Sequence, residues 1–240
     1  MRWILATALA TTATLSLAGE FTVSPIRAEL PASRNSEAIT VSNNGDSPLR
    51  VSLELKRWTQ DASGNDIYTD APDELVYFPR QFEIPPKKKQ VVRVARRAPS
   101  DAKELAYRLY FIEQPSTPAD GSQGGQLAMA VSFGVPVFIQ PVKVKPNLTA
   151  SPVQLEQGKL TFTLSNDGNV THRLRRVVIG NQGASINQFD NWYLQPGSSR
   201  SYQLAVPQNA CADSPQRITI ETDRSNNTQQ LLIPKQVCTN

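Results

Sequence analysis

The chain has 240 residues, of which 39% are apolar, and its formal net charge is +4 at pH 7. This length allows one large β domain or two ordinary ones with a buried core. The positive charge is modest and spread along the chain, without interleaved aromatic and basic residues, so nucleic acid is not an expected partner. The densest basic group, Lys87 to Lys89, lies between two strand-like segments and is typical of a solvated turn.

The first residues read MRWILATALATTATLSLAGEF, with a cation at Arg2, an apolar stretch, and small residues at Ser16 and Ala18. This pattern is typical of a secretory signal peptide, so residues 1–18 are predicted to be cleaved off. The apolar stretch is short and interrupted by threonines, which argues against a membrane anchor. We therefore expect an exported protein without membrane insertion.

Export changes how the two cysteines are interpreted. An oxidising compartment favours a disulfide, and no Cys-x-x-Cys motif indicates redox chemistry. Cys211 and Cys238 are therefore predicted to pair and to tie the chain's tail to the body of a C-terminal domain.

Two segments of the chain repeat in the same order. ITVSNNGD at residues 39–46 matches FTLSNDGN at residues 162–169, and FEIPPKKKQVVRV from Phe82 matches WYLQPGSSRSYQLAV from Trp192. Alternating apolar residues and turn signals dominate, with almost no helical periodicity. The sequence predicts an all-β fold of two immunoglobulin-like sandwiches, with domains at residues 19–142 and 143–240.

One predicted strand is unusually apolar. Residues 126–141 read QLAMAVSFGVPVFIQP, and every odd position is apolar while most even positions are small. These odd positions are Leu127, Met129, Val131, Phe133, Val135, Val137 and Ile139. A strand has a side-chain period of two, so the segment predicts one long apolar face. The last three would suffice for the protein's own core, and the outer four would then serve a partner; alternatively, all seven fill the core.

The sequence lacks the parts of common catalytic sites. Its only histidine, His172, has no accompanying acidic pair or phosphate-binding loop, and we expect it to be an ordinary surface or rim residue. A histidine-dependent triad, a zinc site and a Walker loop are all incomplete. We therefore predict no enzymatic activity, no catalytic residue, no metal and no cofactor.

The sequence resembles the PapD-like periplasmic pilus-assembly chaperones in the order of six segments: FTVSPIRAEL, ITVSNNGDSPLRV, WTQ, LVYFPRQFEIPPKKKQVVRV, YRLYFIEQP and VSFGVPVFIQP. The resemblance covers nearly all of the N-terminal half and is looser in the C-terminal half. The PVFIQP ending looks more like the divergent branch that serves archaic or spore-coat-like fimbriae. The resemblance to the family implies two immunoglobulin-like domains arranged in an L, with a cleft between them.

The resemblance also implies a function and binding residues. In such chaperones the last strand of the N-terminal domain is lent to a pilus subunit that lacks a strand, and the subunit is then delivered to an outer-membrane usher. In this chain the apolar side chains of the lent strand would be Leu127, Met129, Val131 and Phe133. Arg27 in SPIRAEL matches the family's arginine that anchors the subunit's terminal carboxylate.

The chain departs from the family pattern at two positions. Pro136 stands where the family has a second basic anchor, a lysine, and Gln140 stands where better-known members have an interdomain arginine. Pro136 also lacks a backbone N–H, so it fits only an edge or a bulge. Lys143, Lys145 or a basic residue of HRLRR would substitute for the lysine, or there is no second anchor.

Two functions therefore remain open at the level of sequence. The first is a periplasmic chaperone for pilus or fimbrial subunits, with the question open whether free molecules cap their own edges as a dimer. The second is a secreted two-domain adhesin or structural surface protein, in which the long strand is an ordinary core strand.

Overall fold

The structure of the chain is a computed structural model, and it describes residues 21–97, 102–114, 130–180 and 183–238. The predicted signal peptide lies outside these residues. The strands of the first half are β1 (Phe21–Ser24), β2 (Ala28–Leu30), β3 (Ser36–Asn43), β4 (Leu49–Gln60), β5 (Asp66–Asp70), β6 (Leu75–Phe78), β7 (Gln81–Ile84), β8 (Lys89–Arg96), β9 (Leu105–Gln114) and β10 (Ser132–Ile139).

The second half continues with shorter strands and two 3-10 turns. Its elements are β11 (Leu148–Ala150), β12 (Gln154–Glu156), β13 (Lys159–Asn166), β14 (His172–Ile179), β15 (Ala184–Ile186), β16 (Tyr193–Leu194), β17 (Ser199–Ala205), η1 (Gln208–Ala210), β18 (Gln216–Thr222), β19 (Asn226–Leu231) and η2 (Lys235–Cys238).

Each half forms two sheets around its own core. In the first half one sheet has the order β1-β3-β8-β6, and the other has the order β2-β10-β9-β4-β5 with β7 also on β4. In the second half β13 pairs with β11, β12 and β17, and the other sheet has the order β15-β14-β18-β19 with β16 on β14. Separate apolar clusters fill the two halves. The predicted all-β fold of two sandwiches is confirmed.

The sequence repeat corresponds to a repeated hydrogen-bonding role for one asparagine. The buried Asn43 amide donates to the carbonyls of Ser47 and Ile84 at 2.8 and 3.0 Å, and its side-chain oxygen accepts from the Gly45 N–H at 3.0 Å. Asn166 does the same with Val170, Leu194 and Gly168, at 2.9, 2.9 and 3.0 Å. Buried carbonyls need such donors, so the repeated Asn-x-Gly fixes the turn after β3 and after β13.

The inner part of the long apolar segment is core. Val135, Val137 and Ile139 of β10 are buried within the first-half cluster. Phe138, at an even position, is also fully buried, but against Trp58 and Ala106 in a separate small cluster. The inner end of β10 therefore buries both of its faces, whereas the pattern predicted one apolar face.

The predicted disulfide is confirmed. Cys211 and Cys238 are bonded, with their Cα atoms 6.1 Å apart, and they join η1 to η2 at the end of the second half. The two cysteines are 27 positions apart in sequence, and the loop that their bond closes contains β18 and β19.

Replacing both Cys211 and Cys238 by serine is expected to lower the free energy of unfolding of the second half by about 2 to 5 kcal/mol, because the unfolded chain regains the entropy of the open loop. Urea unfolding of the oxidised and variant proteins measures the difference. Reduction of the unmodified protein should reproduce the loss, and equal midpoints for all three samples would contradict the stabilising role.

Candidate functional site

The strand β10 leaves part of one edge without a partner strand. It pairs antiparallel with β9 along its whole length, from Ser132 to Ile139. On its other side β2 pairs with it in parallel, but only at Val137, Phe138 and Ile139. Among the described residues, no strand therefore covers the outer edge of positions 132–136.

The alternation of the backbone shows which groups face this open edge. The Val131 carbonyl accepts from the Glu113 N–H at 2.9 Å, towards β9, whereas the Gln140 N–H donates to the Leu30 carbonyl at 2.9 Å, towards β2. Odd positions of β10 thus pair with β9, and even positions face outwards. The N–H groups of Ser132 and Gly134 point to the open edge, and Pro136 offers no N–H there.

The apolar side chains before Val135 are less completely buried than those after it. Val135 is buried, Phe133 is 40% exposed, and Val131, just before β10, is partly buried against the core. The Phe133 ring touches Phe21 edge-to-face, with 4.9 Å between the ring centroids. Two further predicted site residues, Leu127 and Met129, lie outside the described residues.

Gly134 is required by the packing of the neighbouring strand. A Cβ at this position would lie 2.9 Å from Cε1 of Tyr110, its cross-strand neighbour on β9. The tyrosine ring lies over the glycine, so a side chain here would have to displace it. At position 134 the open edge of β10 therefore carries no side chain of its own, and its backbone is accessible.

Arg27 lies between the two halves and is not free. Its Nη1 donates to Oδ2 of Asp223 at 2.6 Å, and its Nη2 forms an ion pair with Oε1 of Glu29 at 2.6 Å. Only 14% of the side chain is exposed. Burial opposes the charge, but the hydrogen bond to Asp223 and the negative charges of Asp223 and Glu29 outweigh it and raise the pKa of Arg27.

Sequence reasoning missed both acidic partners of Arg27. Glu29 lies on β2, two residues after Arg27, and an acidic residue at this spacing from an arginine is a recognisable signal. Asp223 comes from the other half, so nothing in the local pattern indicates it. Gln140 takes part as well, because its amide donates to Oε2 of Glu29 at 2.7 Å.

An aromatic cluster joins the two halves beside Arg27. The ring of Tyr193 lies 5.3 Å from Trp58 and 5.7 Å from Phe138, and the Arg27 guanidinium lies 4.9 Å from the centre of the Phe138 ring. Gln60 donates to the Tyr193 carbonyl at 2.9 Å. The contact therefore combines apolar packing with directed hydrogen bonds across the two halves.

A second polar contact between the halves is centred on Glu104. Its buried carboxylate accepts from the Thr171 N–H at 2.9 Å and lies 3.7 Å from Nη2 of Arg224. Burial raises the pKa of Glu104, and its bonds to Thr171 and the charge of Arg224 only partly offset this effect.

The prediction that His172 is a surface or rim residue is wrong. His172 is 1% exposed, because it is the first inward-facing residue of β14. Its Nδ1 lies 3.3 Å from the Thr222 hydroxyl, and burial lowers the pKa of the ring.

Within the ranges that the structure describes, no helix has the length and apolarity needed to cross a bilayer. The same residues contain no group of three or more histidine, cysteine or acidic side chains able to hold a metal ion.

Arg27→Ala is expected to lower the free energy of unfolding by about 1 to 3 kcal/mol, because Asp223 loses a charge-assisted hydrogen bond in a partly buried place. Chemical denaturation measures this loss. Arg50→Ala is the control, since the ion pair of Arg50 with Glu83 is 63% and 51% exposed and should contribute about 0 to 1 kcal/mol. Equal effects of the two substitutions would contradict the role of Arg27 between the halves.

Comparison with known proteins identifies relatives of this chain. The chain is 29% identical over 167 residues to the probable fimbrial chaperone EcpB of Escherichia coli, which covers 68% of the chain and 72% of that protein. A chain in the crystal structure of the CsuC–CsuE chaperone–tip adhesion subunit pre-assembly complex, from archaic Csu pili of Acinetobacter baumannii, is similar with a TM-score of 0.59 and 19% identity, over 88% of this chain and 98% of that chain.

A chain in the complex of the SafA pilin with the SafB chaperone of Salmonella enterica also has a TM-score of 0.59, at 15% identity, over 94% of this chain and 99% of that chain. At these identities the solved structures support the fold. Residues 20–145 match the family described as pili and flagellar-assembly chaperone, PapD N-terminal domain. This match spans more than half of the chain, and the chain therefore belongs to the PapD family of pilus and flagellar-assembly chaperones.

Proposed function

We propose that this chain is a periplasmic chaperone that binds, folds and caps pilus or fimbrial subunits and delivers them to an outer-membrane usher. In this proposal residues 1–18 are the signal peptide, and residues 19–142 and 143–240 are the two domains. The function involves no chemical step and requires no cofactor. The observation that supports it most is the open edge of β10 at positions 132–136.

An open strand edge binds a partner protein by accepting one of the partner's strands into its own sheet. The outward N–H groups of Ser132 and Gly134 and the carbonyls beside them give main-chain hydrogen bonds to an incoming strand, whatever its sequence. An incomplete subunit with an unpaired edge of its own would otherwise aggregate, and this pairing covers it.

Apolar side chains at the outer end of β10 supply the second part of the affinity. Phe133 is already half-exposed, and Val131 lies at the rim of the core. Each large apolar side chain that becomes fully buried against a subunit contributes roughly 1.5 to 3 kcal/mol before ordering costs. Leu127 and Met129 extend the same face in our proposal, because they continue its period of two.

Co-expression tests the function. A small secreted fibre subunit encoded beside this chain is produced in the periplasm with and without it. We expect the subunit to be soluble only with the chaperone and to co-purify with it as a complex. A subunit that is equally soluble alone, or that never co-purifies, would overturn the proposal.

A further inference from the structure

The sheet β1-β3-β8-β6 has an outer face that is both apolar and cationic. Each of its strands buries one set of alternate side chains in the first core, and the other set points away from the sheet that contains β10. Ala38, Arg93 and Phe78 are direct cross-strand neighbours and form one row of this outer face. Val76 and Ala95 pair in the next row.

Three large apolar side chains of the outer face are exposed to water. Phe78 is 73% exposed, and Val76 and Val91 are exposed as well. Val76 lies two residues before Phe78 on β6, and Val91 is a diagonal neighbour of Phe78 on β8, because Phe78 pairs with Arg93. The three side chains therefore form one contiguous apolar patch, which is a common sign of a binding surface for a protein or a membrane.

The charges of the outer face have one sign. Lys89 and Arg93 lie on β8 on either side of Val91, and none of the outward positions that the structure describes in these four strands is acidic. Neither cation forms an ion pair within the described part of the chain. The Arg93 guanidinium instead donates to the Ser36 hydroxyl at 3.4 Å. The positive charge of this face is therefore left for a partner.

The outward face of the opposite sheet carries both signs of charge. Arg50 and Lys56 point outwards from β4, and they form ion pairs with Glu83 at 2.9 Å and with Asp70 at 2.7 Å. The single sign of the outer face of β1-β3-β8-β6 is therefore a property of that sheet and does not extend around the whole first half.

Cationic and apolar side chains alternate along β8 on the outer face. Lys89, Val91 and Arg93 follow one another at every second residue, so a partner must offer negative charge and apolar contact within about 7 Å of each other. The surface of an anionic bilayer offers both at every position, because its lipid phosphates lie directly above acyl chains. An exposed aromatic side chain can enter that boundary while neighbouring cations stay at the phosphates.

We propose that the outer face of β1-β3-β8-β6 binds peripherally to the surface of membranes rich in anionic phospholipid, with Phe78 in the headgroup region and Lys89 and Arg93 at lipid phosphates. This inference goes beyond the proposed function, and it uses the opposite sheet of the first sandwich from the one that contains β10. A chain held in this way keeps the open edge of β10 free for a subunit. The attachment is weak and reversible, because three apolar side chains and two cations carry it.

Flotation of the full-length mature chain with lipid vesicles tests the inference. One set of vesicles is phosphatidylcholine alone, and the other contains equal parts of phosphatidylcholine and phosphatidylglycerol. We expect binding to the anionic vesicles to be about tenfold stronger or more, since each cation near an anionic surface contributes about fivefold. High salt should reduce the difference, because it screens the surface charge.

Substitutions on the outer face locate the binding. Arg93→Gln should weaken binding to the anionic vesicles about fivefold, and Phe78→Ser about tenfold. Both side chains are exposed, so thermal melting should show that the variants stay folded. Arg50→Gln and Val142→Ser are the matched controls, because Arg50 is an exposed cation of the opposite sheet and Val142, at 71%, is about as exposed as Phe78. Neither should change the binding.

These measurements contain no pilus subunit, so their outcome is separate from that of the proposed function. Equal flotation with neutral and anionic vesicles would overturn the inference, and so would equal losses from Arg50→Gln and Arg93→Gln. A fluorescent polyglutamate peptide is the remaining probe. If the chain binds this peptide through Arg93 but floats with neither set of vesicles, the lipid surface is overturned in favour of an acidic protein partner.

Discussion

Val137→Glu is expected to unfold the N-terminal sandwich. Val137 is 0% exposed in the centre of the first core and pairs with strands on both sides, β9 and β2. A carboxylate placed there has no counter-charge and loses its hydration, which costs several kcal/mol, a large share of the stability of an ordinary domain. Circular dichroism and thermal melting of the purified variant measure the effect.

Val142→Glu is the control for this substitution. Val142 is 71% exposed shortly after the same strand, so the identical chemical change should alter stability by less than about 0.5 kcal/mol. A folded Val137→Glu protein that melts at the temperature of the unmodified chain would show that β10 is not part of the core.

Phe133→Glu is expected to abolish subunit capture while leaving the chaperone folded. Phe133 is 40% exposed at the open edge, so the glutamate keeps access to water in the free protein. In a complex the same carboxylate would enter an apolar groove without a counter-charge, which costs several kcal/mol and thus a hundredfold or more in affinity, by about 1.4 kcal/mol per factor of ten. Melting of the free variant and co-purification with the subunit are measured on the same preparation.

Phe78→Glu is the matched control for Phe133→Glu. Phe78 is 73% exposed on β6, which belongs to the other sheet, so its substitution should leave subunit capture intact. If Phe133→Glu binds the subunit like the unmodified chain, the outer part of β10 has no role in capture. If it unfolds like Val137→Glu, the whole strand is core, as in a secreted structural protein.

Local sequence patterns predicted the core positions of β10, its edge at Pro136 and the two similar halves. The period of two along residues 126–141 identified Val135, Val137 and Ile139 as core, and the absent N–H of Pro136 indicated an edge. The repeated Asn-x-Gly segments predicted two similar halves, since each asparagine satisfies the same kind of turn.

Features that depend on how the halves meet could not be predicted in this way. The engagement of Arg27 requires Asp223, which is 196 positions away in sequence. Phe138 and Tyr193 become neighbours only because the halves pack against each other. His172, the first residue of β14, is buried beside the Thr222 hydroxyl of β18, a neighbour 50 positions away in sequence.

Amide hydrogen exchange of the chaperone with and without a bound subunit tests the central claim most directly. If a subunit strand docks on the open edge of β10, exchange at the outward N–H groups of Ser132 and Gly134 should slow by about tenfold or more. The N–H of Val135 pairs with β9 in both states and should change little. Unchanged exchange at Ser132 and Gly134 in a stable complex would contradict the account, because the subunit would then be held elsewhere on the chain.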